Sequence, residues 1–143
     1  MFASFNRGLF AEVLAILGDL PRAIGEVDAG LAFANENSNV YWNAHLLKLK
    51  GDFLQALAAP DSDIEAWYQR SLTVAHSQNA QSLKLRTAMS LAKLWQKQNR
   101  RADAFHMLAD IYNGFTEGFD TPDLRDAKAL LAVLGQSPVM SEL

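Results

Sequence analysis

Cysteine is absent from the 143 residues, which excludes a disulfide framework, a thiolate nucleophile and any cysteine-based zinc site. Proline is scarce, with four in the chain, so few points force a helix to break. No long hydrophobic run occurs either. The best stretch, LFAEVLAIL from Leu9 to Leu17, is interrupted by Glu12 and too short for a membrane span, and no basic leader of the kind a signal peptide needs accompanies it. These absences predict a cytoplasmic chain with no membrane contact. Alternating β-branched stretches are missing, and no Asn-Gly or Asp-Gly turn joins two such stretches, which argues against a sheet. Acidic charge is missing from one segment. Between Ala66 and Ala102 there is no Asp or Glu, while Arg70, Lys84, Arg86, Lys93, Lys97, Arg100 and Arg101 all fall there.

What is present has the balance of a globular chain: half the residues are hydrophobic, a fifth are charged and the net charge is −3. That length can bury a core as one domain, 1–143. The sign of the charge reverses after the basic segment, with Asp103, Asp110, Glu117, Asp120, Asp123 and Asp126 against Arg125 alone. Apolar residues recur at helical spacing almost throughout, so the chain reads as all-α.

Punctuation divides the chain into about seven helices. The first runs from near Ser4 to Leu17, where Gly18 and Asp19 stop it and cap a second carrying Pro21 in its first turn. The second ends near Asn35, and the third spans about Asn39 to Ala58 before Pro60 breaks it. Ser62 and Glu65 predict a capping box for a fourth helix reaching Ser77. The fifth spans about Gln81 to Gln98 and the sixth about Arg101 to Phe115. For the seventh, Thr121 suits the N-cap, Pro122 the first helical position and Asp123 the positive helix end, with Gly135 as terminator.

Laid on one another, the helix pairs repeat a pattern of small residues in both helices and a small or polar turn between. The first pair offers Ala11, Leu14, Gly18, Ala23, Val27 and Gly30, the second Gly51, Leu54, Ile64, Tyr68 and Ser71, the third Ala92, Trp95, Asn99, Ala104, Leu108 and Ile111. Small residues let helix backbones approach while large ones fill the groove between pairs. The spacing resembles the tetratricopeptide repeat, although turn-to-turn separation is nearer forty residues than thirty-four and the usual closing proline is missing. The predicted architecture is a tetratricopeptide-like helical-hairpin solenoid, with hairpins at about 4–36, 39–78 and 81–116. A helix at about 122–134 caps the last apolar edge, turning Leu124, Ala127, Leu130, Leu131 and Leu134 inward with Phe115 and Phe119 close by.

The run SLKLRTAMSLAKLWQKQNRRADAFHMLADIYNGFTEGFDTPDLRDAKALL, with the earlier LKLKGDFLQAL, resembles the C-terminal tetratricopeptide-like region of bacterial adenylate or guanylate cyclase-type proteins and of related predicted-ATPase and LuxR-like regulators. The resemblance covers about Leu9 to Gly135, and GFTEGFDTPDL is its most specific part. It implies a non-catalytic module of a signalling protein, in which Met1 either opens a piece of a longer gene product or begins an array that stands alone.

No residue pattern points to chemistry. The chain has no GxxxxGK[ST] loop. His45 and His76 lack a second ligand at i+3 or i+4, and His106 has only Asp110 there, too few donors for a metal site. DSDIE, Asp61 to Glu65, resembles the opening of a calcium loop but lacks its central glycine and distal glutamate, and reads as a helix start. Trp42, Trp67 and Trp95 read as packing residues. No enzyme activity, cofactor or metal is expected. The inner face of such an array is lined by the first helix of each pair, which by register gives Glu12, then His45, Lys48, Asp52 and Gln55, then Arg86, Met89, Lys93 and Gln96. This face predicts a protein or peptide partner, in particular an acidic segment held by Lys48, Arg86 and Lys93, or upstream domains of a parent protein. The alternative is a nucleic-acid contact through Arg70 to Arg101, against which stand the acidic total and sparse aromatic interleaving.

Overall fold

A computed structural model describes residues 11–36 and 43–135, and among them every regular element is an α-helix. Helix α1 is described over 11–16. It is followed by α2 (Leu20–Glu36), α3 (Asn43–Ala56), α4 (Asp61–Ser77), α5 (Gln81–Lys97), α6 (Arg101–Tyr112) and α7 (Pro122–Leu134). The expected starts of the first and third helices, the NENSNV turn beyond Glu36 and Trp42 lie outside the described residues.

One turn geometry recurs at four helix ends. Gly18, Ala58, Asn79 and Asn99 all adopt left-handed backbone, with φ of 87°, 59°, 58° and 62°. At each, the next residue's N–H reaches back to a carbonyl in the last helical turn: Asp19 to Leu14, Ala59 to Leu54, Ala80 to Ala75 and Arg100 to Trp95, at 2.8–3.0 Å. These bonds satisfy carbonyls that a helix end leaves open, and the reversal they impose lets the next helix begin within two or three residues. Glycine takes this conformation freely and asparagine with little strain, whereas Ala58 carries a Cβ against it.

Two expected caps take a different form. Pro60, not Ser62, occupies the N-cap position of α4, and no side chain caps that helix. Proline's fixed φ supplies the extended entry, its carbonyl receives the Asp63 and Ile64 N–H groups, and Asp61 and Asp63 lie in the first turn, where the helix dipole favours them. Thr121 does occupy the N-cap of α7, with Pro122 behind it, but its hydroxyl donates to the Gly118 carbonyl at 2.7 Å and makes no cap bond to the helix. Helix α6 stops at Tyr112, short of Phe115, because residues 113–115 tighten into a turn with Gly114 and Phe115 donating to Ile111 and Tyr112.

The chain divides into two compact units at Leu83/Lys84, in the first turn of α5. In the first, α3 packs against both α2 and α4. Ala11 and Leu14 of α1, Ala23 and Val27 of α2 and Leu46, Leu49 and Phe53 of α3 form one apolar cluster. Helices α3 and α4 approach closely at Gly51, where a Cβ would lie 2.6 Å from Tyr68 Cε1. Ser71, also buried, donates its hydroxyl to the Ala44 carbonyl at 2.7 Å. In the second unit, Leu85, Ala88, Leu91, Ala92, Leu94 and Trp95 of α5 are buried, as are Ala104 and Leu108 of α6. Helix α7 packs on α6, burying Leu124, Ala127 and Leu134, while Leu130 and Leu131 are half-buried. Phe119 is 46% exposed, its ring 5.8 Å from that of Tyr112.

Candidate functional site

Four of the nine expected partner-binding residues stand on one stripe of α3. His45, Lys48, Asp52 and Gln55 follow one another at three- and four-residue spacing, which brings them to a single face of a helix. Glu12 of α1 joins them, its Oε1 4.0 Å from His45 Nε2. The first unit therefore assembles all five residues expected of it.

The stripe is a bonded network rather than a set of free side chains. Lys48 Nζ donates to Asp52 Oδ2 at 2.7 Å. The Tyr68 hydroxyl, carried up from the fully buried ring on α4, donates to Asp52 Oδ1 at 2.5 Å and lies 3.3 Å from Gln55 Oε1. Gly51 makes this possible, since only a residue without a side chain lets α3 close on the tyrosine ring. A buried Tyr where Phe would pack equally well is the sequence signal that an acceptor stands nearby. Read as one more spaced apolar residue, Tyr68 gives no warning of this role.

In the second unit Arg86 Nε donates to Asp123 Oδ2 of α7 at 2.9 Å. Met89 and Gln96 are half-buried and Lys93 is exposed. Two of the three cations expected to hold an acidic segment thus each hold a carboxylate of the chain itself. Lys93 has no such partner among the described residues.

A second cluster escapes the sequence reading. On α3, Lys50 lies two residues from Lys48, which turns it to the opposite side of the helix. Its Nζ donates to Asp28 of α2 at 2.7 Å and stands 5.3 Å from the centre of the Trp67 ring. The Arg70 guanidinium lies 4.6 Å from the same ring. Trp67 is therefore a half-buried ring approached by two cations, not only a packing residue. Trp95 fits the packing reading better, being buried, with Arg100 4.3 Å from its ring centre.

Among the described residues no group of three or more His, Asp or Glu side chains gathers as a metal site, and no helix is long and apolar enough to cross a membrane. The chain matches no known protein family, and no curated protein is significantly similar to it.

Proposed function

We propose that the chain is a non-catalytic protein-interaction module of tetratricopeptide-like, hairpin-solenoid form, belonging to or derived from the C-terminal part of a multidomain cyclase or NTPase signalling protein. The architecture is supported by the recurrence of one left-handed turn at residues 18, 58, 79 and 99 and by the buried small residues Ala11, Ala23, Ala92 and Ala104 at matching positions of two helix pairs. The observation that carries the function is the stripe of Glu12, His45, Lys48, Asp52 and Gln55. It is polar, partly solvent-exposed and held in place from beneath by Tyr68. Its members form hydrogen bonds and ion pairs but include no nucleophile paired with a base, so the stripe is suited to holding a ligand and not to transforming one.

The internal pairing alters the partner expected. Within the first unit, Glu12 and Asp52 outnumber Lys48, so this part of the face suits a polar or basic peptide segment better than an acidic one. An acidic segment would have Lys93 of the second unit to bind. A displayed peptide library tests the reading. Selection on the wild-type chain should enrich a defined class of peptides, and their binding should fall at least about tenfold in Asp52→Ala and His45→Ala variants that retain the wild-type thermal midpoint. Failure to enrich any peptide, or binding indifferent to both substitutions, would exclude the stripe as the site.

A further inference from the structure

We propose that the chain associates head to tail, with the α1 end of one copy seated on the outer face of α7 in the next. Helix α1 and the first residue of the turn after it present Val13, Ile16 and Leu17 to solvent, 51%, 83% and 75% exposed. Their spacing of three and one places them on one stripe, and no other described helix exposes three large aliphatic residues together. A contiguous apolar patch of this kind on a water-soluble surface marks a place of contact.

The outer face of α7 is its complement in shape. Opposite the buried Leu124, Ala127 and Leu134, this face exposes Ala129 and Ala132 at its centre, with Arg125, Lys128, Val133 and Asp126 around them. Small central residues leave a shallow groove into which larger side chains of a second helix fit.

Charge selects this pairing over a symmetric one. Residues 11–83 carry nine carboxylates against four Lys or Arg, whereas residues 84–135 carry six against eight. Two α1 ends meeting would bring two acidic units together. An α1 end meeting α7 brings the acidic unit against Arg125 and Lys128, neither of which has a carboxylate partner among the described residues. Such a contact joins different surfaces on the two copies, so it propagates beyond a dimer unless the rotation closes a ring. The patch is smaller than the ~800 Å² per partner of a standard interface, so the association is weak and concentration-dependent.

Sedimentation equilibrium from about 10 μM to about 1 mM tests it. The wild-type chain should rise in average mass past that of a dimer. Ile16→Asp and Ala129→Glu alter exposed side chains, so both should fold with the wild-type midpoint, and each alone should remain monomeric. Mixed one to one they should form a heterodimer and nothing larger, because the mixture retains one intact α1 end and one intact α7 face that can pair. A wild-type chain monomeric throughout the range would overturn the proposal. So would an α7 variant that associates like wild type, or a dimer lost in Ile16→Asp that mixing does not restore, the latter meaning symmetric α1 pairing.

Discussion

Two residues with almost no side chain carry opposite strains. At Gly51 an added methyl group would press on Tyr68, with contacts of 2.6, 2.8 and 3.1 Å to successive ring atoms. The ring is fully buried and its hydroxyl is anchored to Asp52, so it has no room to retreat. Gly51→Ala should therefore destabilise the chain by about 1–3 kcal/mol, as overpacking of a filled interior does. At Ala58 the strain is in the backbone, where a φ of 59° is costly for a residue bearing a Cβ. Ala58→Gly should stabilise by about 0.5–1 kcal/mol, the relief being partly offset by glycine's greater freedom in the unfolded chain. Urea unfolding of both variants checks the pair, and equal midpoints would remove the argument. The first effect was half legible. The repeat pattern singles out Gly51 as a point of close approach, but the aromatic ring it approaches comes from another helix. The second was not legible, since nothing about Ala58 in sequence distinguishes a left-handed turn from one more helical alanine.

Helix α7 shows how far caps and periodicity reach at the level of the element. Thr121, Pro122 and Gly135 bound it where local chemistry says they should. Three of the five inward residues are fully buried, with Leu130 and Leu131 at the margin. The Arg101 guanidinium donates to the Val133 carbonyl at 3.1 Å, and Asp123 holds Arg86, so both ends of the helix are tied to the rest of its unit. Burial of its apolar side chains contributes roughly 4–5 kcal/mol before entropy is counted, a large share of a small domain's net stability. Truncation after Glu117 should lower the thermal midpoint sharply or give an aggregating chain, as scanning calorimetry and light scattering would show. A soluble monomer with an unchanged midpoint would make α7 an arm rather than a cover. The capping box predicted at Ser62 and Glu65 failed for a local reason: Pro60 already supplies the extended entry, so the helix begins two residues earlier than the hydroxyl pattern requires.

At the scale of the molecule, Ala92 offers the sharpest test. It is completely buried in α5, and Ala92→Arg forces both bulk and charge into that place, at a cost of several kcal/mol. Because α6 and α7 lie with most of α5 in one compact unit, hydrogen exchange should accelerate across those three helices while α2 to α4 retain protection. Uniform acceleration would mean that the two units open as one. The sequence by itself determined the all-helical class, most helix boundaries and the α3 face bearing His45, Lys48, Asp52 and Gln55, because caps, breakers and the 3.6-residue period act within one helix and its neighbouring turns. Only the tertiary structure decided that Lys48 and Arg86 are neutralised by Asp52 and Asp123, that Tyr68 is the strut beneath the stripe, and that Lys50 and Arg70 close on Trp67. Lys48–Asp52 and Arg70–Trp67 lie within one helix, whereas the other pairings join different helices, and even Lys48 and Asp52 are oriented by the Tyr68 hydroxyl from α4. Such contacts depend on how helices dock, which no local pattern of residues encodes.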